Sequence, residues 1–233
     1  MFEDLDLEKL QTKLDITEIA CHLYVKNNGS FTFKDIAKEL ELDPAEIFDY
    51  FPNKKAVLQF YYASLVIRYR FMIEEIDDFE TYSLSEKLSN FTYASFDMMK
   101  EQQEFVEATF KSEVVHNFST TGYEKYIEQM LRHFFRNDTR ISASSSLVMR
   151  PLFFQLLRKK YLYLINFWLD DDSEGKELTM ELTDKLTAMI QEIMYSPVVD
   201  KGFELIKFLV TNGIITRNIP FWDTITSKIE IRD

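Results

Sequence analysis

Three histidines, one cysteine and a run of aspartates are the residues that could carry metal, nucleophilic or acid–base chemistry in this chain. His22, His116 and His133 stand in separate stretches, with neither H-E-x-x-H nor any paired metal-ligand spacing. There is no Gly-rich phosphate loop, no G-x-S-x-G elbow and no C-x-x-C. A single cysteine excludes an internal disulfide framework and a multi-cysteine zinc site. Cys21 lies among apolar residues at helical spacing, so it reads as a small buried side chain rather than a nucleophile. Asp170-Asp171-Asp172, followed by Ser173-Glu174-Gly175, fits a solvated loop at a helix end, with a divalent cation as the alternative. The expectation is a protein that is not an enzyme and holds no metal or cofactor.

Charged residues at functional spacing occur instead between Gly29 and Leu58. Lys34 and Lys38 are one helical turn apart, and Asp43, Glu46 and Asp49 fall at i, i+3 and i+6 on roughly one helix face. The elements that carry them are well marked. Thr32-Phe33-Lys34-Asp35 has the form of a capping box and opens a short helix over Phe33–Leu40. Asp43-Pro44-Ala45-Glu46 repeats the signal, with Asp43 as N-cap and Pro44 at the first helical position, where its missing N–H costs nothing. This second helix reaches Phe51, and Pro52-Asn53 separates it from a long helix that starts at Lys54. Upstream, Ile16, Ile19, Ala20, Leu23 and Tyr24 mark a longer helix ended by Asn27-Asn28-Gly29. A long helix followed by two short ones joined by a three-residue turn describes a helix-turn-helix of three-helix type. Ile36, Leu40, Ile47, Phe48 and Phe51 are its expected core.

The same segment resembles the N-terminal signature of the TetR family of transcriptional regulators. The pattern I-A-x-x-A-G-V-S-x-G-T-L-Y-x-Y-F is met at Ile36, Ala37, Leu42, Ile47, Phe48, Tyr50 and Phe51, with Lys54 at the family's lysine. Ala20, Gly29, Phe31 and Thr32 also match, so the resemblance covers about residues 10–60. It implies an all-α fold, with a DNA-binding domain over residues 1–55 and a helical ligand-binding and dimerisation domain over 56–233. The implied function is a ligand-responsive repressor, a homodimer on a palindromic operator of double-stranded DNA. The second motif helix would enter the major groove, with phosphate contacts from Lys34, Lys38, Tyr50 and Lys54. Base-edge contacts would come from Pro44, Ala45, Glu46 and Asp49.

The chain departs from the pattern where charge matters. Glu41, Asp43, Ala45 and Glu46 stand where the family has glycine, serine, glycine and threonine. Residues 1–60 hold seven lysines, no arginine and twelve carboxylates, a net of −5, within a whole-chain charge of −12. Because each neutralised phosphate adds affinity by counterion release, few cations mean weak, salt-sensitive binding. Asp43 and Glu46 have a plainer role as helix caps, and Lys34 and Lys38 as a solvated face. An alternative function follows: a TetR-like body with a degenerate head that carries a lipid-like hydrophobic molecule.

Beyond Lys54 the apolar spacing stays helical, over about 54–79, 84–101, 102–116, 121–136, 145–170, 176–195 and 198–212. Glycine and proline together are only 10 of 233 residues, which argues against a turn-dense β-sandwich. Residues 85–170 are rich in aromatics and methionine, which suit either a core or an apolar pocket between bundle helices. The candidate lining for a small hydrophobic effector is Tyr93, Phe96, Met99, Phe110, Phe154 and Tyr161, with His116, Tyr93 and Arg150 as orienting groups. Dimerisation through the helices over 145–170 and 198–212 would use Leu152, Leu156, Leu205 and Phe208, with burial inside one subunit as the equal alternative. Two apolar stretches, Phe60–Ile73 and Leu147–Leu169, carry arginines or lysines that oppose membrane insertion. The acidic start also lacks the form of a secretory signal, so a cytoplasmic protein without membrane contact is expected.

Overall fold

The computed structural model describes residues 6–116, 120–142, 145, 149–196, 201, 202, 204, 205, 208 and 209. Every regular element among them is helical: α1 Leu7–Lys26, α2 Phe33–Glu39, α3 Pro44–Tyr50, α4 Lys54–Glu74, α5 Leu84–Lys100, α6 Gln103–Phe110, α7 Gly122–Asn137, α8 Pro151–Asp170 and α9 Glu177–Tyr195. None of these helices is long and apolar enough to cross a membrane.

Local chemistry sets the helix starts. Thr32 with Asp35, Asp43 with Glu46, Ser83 with Glu86 and Thr121 with Glu124 all form reciprocal capping boxes. Helix α1 ends as its sequence predicts. Asn28 is left-handed at φ 51°, and the Gly29 N–H reaches the Tyr24 carbonyl at 2.7 Å. Two expected boundaries are corrected. Helix α4 stops at Glu74 rather than running to Phe79, because Glu74, Glu75, Asp77 and Asp78 crowd the negative end of the helix dipole. A 3-10 turn over Phe79–Thr81 then turns Phe79 into the core. The helix expected over 145–170 is broken at Met149–Arg150, because Pro151 takes the first position of α8 and disfavours helical backbone before it. In the segment expected as a helix over 198–212, the described positions are helical, and the remainder lie outside the described residues.

Helix α4 is the spine. It packs on α1 at one end and on α5 and α7 along its length, while α8 lies against α7 and α9 closes over α5 and α8. The interior is largely aromatic. Phe91 stacks on Tyr161 with ring centres 4.8 Å apart, and Phe96 stacks on Trp168 at 5.1 Å. Tyr62 packs against Phe105, Phe110 and Tyr123. A turn of π-helix over Lys111–Val115 extends α6 and ends with the His116 backbone N–H on the Lys111 carbonyl, 2.9 Å.

Two carboxylates hold α9 in place. Asp171 accepts hydrogen bonds from the Ser173 and Thr179 hydroxyls, 2.6 Å each, and from both backbone N–H groups. Those bonds, the Ser173 and Thr179 hydroxyls first, hold its carboxyl well below the usual 3.8. At the other end of α9 Tyr195 donates to Asp138, while the Leu84 N–H donates to the Tyr195 oxygen at 2.9 Å. Burial by itself would raise the Asp138 carboxyl, but hydrogen bonds from Arg140 and Tyr195 outweigh it and lower it. A depressed folded-state pKa contributes stability that is complete above the unfolded value, near 4, and is lost as pH falls through the folded one. The expected result is full amide protection of α9 at pH 6 and its loss before that of α4 below about pH 4, read by hydrogen exchange.

Candidate nucleic-acid interface

The head is a small three-helix unit. Ile16, Ala20, Cys21 and Leu23 of α1 meet Phe33, Ile36 and Ala37 of α2, Ile47 of α3, and Phe31 and Phe51 between helices. Burial pushes the Cys21 thiol up, away from the thiolate form that reacts. Helix α3 is anchored by Ile47 alone among its fully buried residues, so most of its surface faces outward.

Ala45, Glu46 and Asp49 are exposed on α3, whereas Pro44 and Tyr50 are half-buried and Tyr50 packs on the core. Lys34, Lys38 and Lys54 are exposed beside it. The Lys54 Nζ lies 5.5 Å from the centre of the Phe31 ring. Asp35 lies among these cations. Its carboxyl is held below the usual carboxylate range first by the Thr32 hydroxyl and backbone, with smaller contributions from Lys54 and Lys38. Asp35 therefore competes with any phosphate for two of the three lysines. Glu46 is also committed, since its Oε1 accepts the Asp43 N–H at 3.0 Å while Asp43 Oδ1 accepts the Ala45 N–H at 2.7 Å. Both residues do cap a helix.

The expectation that Phe48 belongs to the core of the head is corrected. It is 60% exposed and held by an edge-to-face contact on Phe33, 4.8 Å between ring centres. The i, i+4 pair Ile47 and Phe51 takes the inward face, which turns Phe48 outward, and that spacing is the signal for it in the sequence. Another departure from the family pattern has a structural cost. Glu41 ends α2 with φ 57°, and the Leu42 N–H closes the cap on the Ala37 carbonyl at 2.9 Å. A side chain in the left-handed region costs about 1 kcal/mol that glycine does not. Glu41→Gly should raise stability by about 1 kcal/mol, measured by thermal melting, and tighten DNA binding severalfold at low salt by removing a carboxylate.

The residues expected around an effector are not gathered at one cavity. Tyr93 donates its hydroxyl to Asp184 and to the Met180 carbonyl, 3.2 Å, which commits it to α9. Phe96 lines a cleft of about 260 Å³ with Trp168, Lys100, Lys176 and Met180. Met99, Phe110 and Phe154 are core, and the Arg132 guanidinium lies 4.2 Å from the centre of the Phe154 ring. Tyr161 donates to Ser95 Oγ at 2.5 Å. His116 and Arg150, expected as orienting groups, are both exposed. His116 ends the π-turn and Arg150 precedes Pro151 as the N-cap of α8. Sequence reasoning missed Tyr123, whose hydroxyl is buried in the body beside that of Tyr161. Burial first, and then its Tyr161 neighbour, push that hydroxyl far toward its neutral form.

Leu152, Leu156 and Tyr163 on α8 and Leu178, Met189 and Ile193 on α9 are each more than half exposed, and each set lies on one helix face. Leu205 and Phe208 are exposed as well. Among the described residues, nothing within the subunit buries Leu152, Leu156, Leu205 or Phe208. Among the described residues no group of three His, Cys, Asp or Glu could hold a metal ion. Within the aspartate run, Asp170 pairs with Lys111 at 3.1 Å and Asp171 accepts from Ser173 and Thr179, while Asp172 is exposed.

Residues 87–209 match the family model described as the tetracycline repressor-like C-terminal domain, over half of the chain. The chain belongs to the TetR family of transcriptional regulators. For this TetR-family chain the helix-turn-helix signature and the matched C-terminal model lie in different segments and agree. Among solved structures, a TetR-family transcriptional regulator from Streptomyces coelicolor is 15% identical and aligns over 95% of this chain and 97% of its own, with a TM-score of 0.49. No curated protein matches.

Proposed function

We propose that this TetR-family protein is a homodimeric repressor that binds a palindromic DNA operator and responds to a small hydrophobic effector. In this reading residues 1–55 bind DNA, and residues 56–233 bind the effector and the second subunit. One observation carries it. The recognition helix presents Ala45, Glu46, Phe48 and Asp49 to solvent while exposed Lys34, Lys38 and Lys54 flank it. An outward helix between cations is the arrangement that enters a major groove and touches its phosphates.

The apolar faces of α8 and α9 support the dimer, because large exposed patches on a water-soluble surface mark interaction sites. A second reading, a degenerate head on a carrier of a hydrophobic molecule, is favoured by the net −5 of residues 1–60 and by Asp35 among the phosphate-binding lysines.

Gel shifts with duplexes drawn from the gene's upstream region test the choice. Retardation at 50 mM salt, with two protected half-sites about one helical turn apart, supports the repressor. No retardation at that salt, together with a hydrophobic molecule retained in native mass spectra, supports the carrier.

A further inference from the structure

The recognition helix is unusual in what it lacks. Its sequence, Pro44-Ala45-Glu46-Ile47-Phe48-Asp49-Tyr50, contains no Arg, Lys, Asn, Gln, Ser or Thr. Guanine is read by a bidentate Arg or Lys on O6 and N7, and adenine by Asn or Gln on N6 and N7. Neither contact is available here. Tyr50 has the helix's one side-chain donor, but it sits in the last position, half-buried against the core. Among acceptors, Glu46 gives one carboxylate oxygen to the Asp43 N–H and keeps the other exposed, and Asp49 is exposed as well; a carboxylate in the groove pairs with the cytosine amino group. The outward surface of α3 otherwise consists of the Ala45 methyl and the Phe48 ring, which lie about one turn apart and so on the same face. Phe48 is held in that position by the buried Phe33.

An apolar surface in a major groove has one base feature to match, the C5-methyl group of thymine. We propose that this head reads its operator through thymine methyl groups, contacted by Ala45 and Phe48, with no direct contact from α3 to guanine. The proposal rests on the DNA-binding reading above. In the operator half-site under α3, thymines are placed toward Ala45 and Phe48, and a G·C pair there is met only on its cytosine, by Glu46 or Asp49. Specificity is carried by burial of methyl groups, while the lysines supply sequence-independent affinity.

The experiment uses the full-length protein and a pool of randomised 30-base-pair duplexes enriched by binding at 50 mM salt. The recovered duplex is then remade with deoxyuridine in place of thymine, which removes only the methyl groups, and affinity is read by fluorescence anisotropy. Burying one methyl-sized group is worth about fourfold, so two contacted thymines in each of two half-sites predict a loss of roughly 250-fold. Phe48→Ala, at a largely exposed position, should leave the fold intact by circular dichroism and bind the thymine and uracil duplexes with less than half of that difference. Phe48→Leu should restore part of it. Equal affinity of the wild-type protein for both duplexes overturns the proposal while leaving DNA binding in place. So does a recovered half-site whose binding depends on guanine and is unchanged by uracil. Failure to enrich any duplex overturns the DNA-binding reading and this inference together.

Discussion

Raising salt from 50 to 200 mM should weaken operator binding about a thousandfold, and replacing Lys34, Lys38 and Lys54 together by alanine should remove most of that dependence. The arithmetic follows from the exposed cations beside α3. Three lysines per subunit make six in the proposed dimer, and each neutralised phosphate contributes about 0.9 to the slope of log affinity against log salt. The wild-type slope should therefore lie near −5, and the triple variant should approach zero slope, with binding too weak to detect at 200 mM. Because the three side chains are exposed, the variant should melt within a degree or two of wild type. Equilibrium titration of a fluorescent duplex across four salt concentrations measures the slope. A flat wild-type slope would mean that the acidic head, with its net −5, does not engage phosphates at all.

The largest effect on stability should come from Phe91→Ala. Phe91 is fully buried on α5, stacked on Tyr161 and in contact with Tyr69 and Phe134, ring centres 4.8 to 6.0 Å away. It thus joins α4, α5, α7 and α8 at one point. Truncating a buried phenylalanine in such a cluster loses its transfer free energy and leaves a cavity that four helices cannot easily close, about 3–5 kcal/mol. For a chain of this size the melting temperature should fall by about 10 °C. Phe91→Leu should recover more than half of the loss. The ring also supports Tyr161, whose hydroxyl donates to Ser95, so the variant should loosen α8 as well as α5 in hydrogen exchange.

The head is almost wholly legible in the sequence, because its determinants act over three or four residues. The Thr32 and Asp43 capping boxes, Pro44 at the first helical position and the Asn28-Gly29 stop each satisfy backbone groups within one turn, so type and spacing suffice to place them. The all-helical class follows from apolar spacing for the same reason. The end of α4 is harder to read, because apolar spacing continues through Ile76 and Phe79 while the acidic residues that stop the helix act through charge. The break before α8 does have a local signal, Pro151, but the apolar run on either side of it masks the interruption.

Side-chain roles that depend on which way a residue points behave differently. Phe48 and Phe51 are both aromatic positions of one motif, yet one is exposed and the other buried, and only the packing of α3 on α2 separates them. Composition groups Tyr93, His116, Arg150 and Tyr161, but in the fold they share no cavity. Tyr93 turns to α9 and Tyr161 to Ser95 on α5, while His116 and Arg150 stand at exposed helix ends. The burial of the Tyr123 hydroxyl beside Tyr161 has no trace in its neighbours along the chain, since Tyr161 comes from a distant helix. Helix starts, the helix-turn-helix and the scarcity of cations are thus properties of short stretches and of counting. Which aromatic faces outward, which is packed away and which polar atom is buried are properties of contacts between distant segments. Those contacts exist only once burial of apolar surface has brought the helices together, so no local pattern records them.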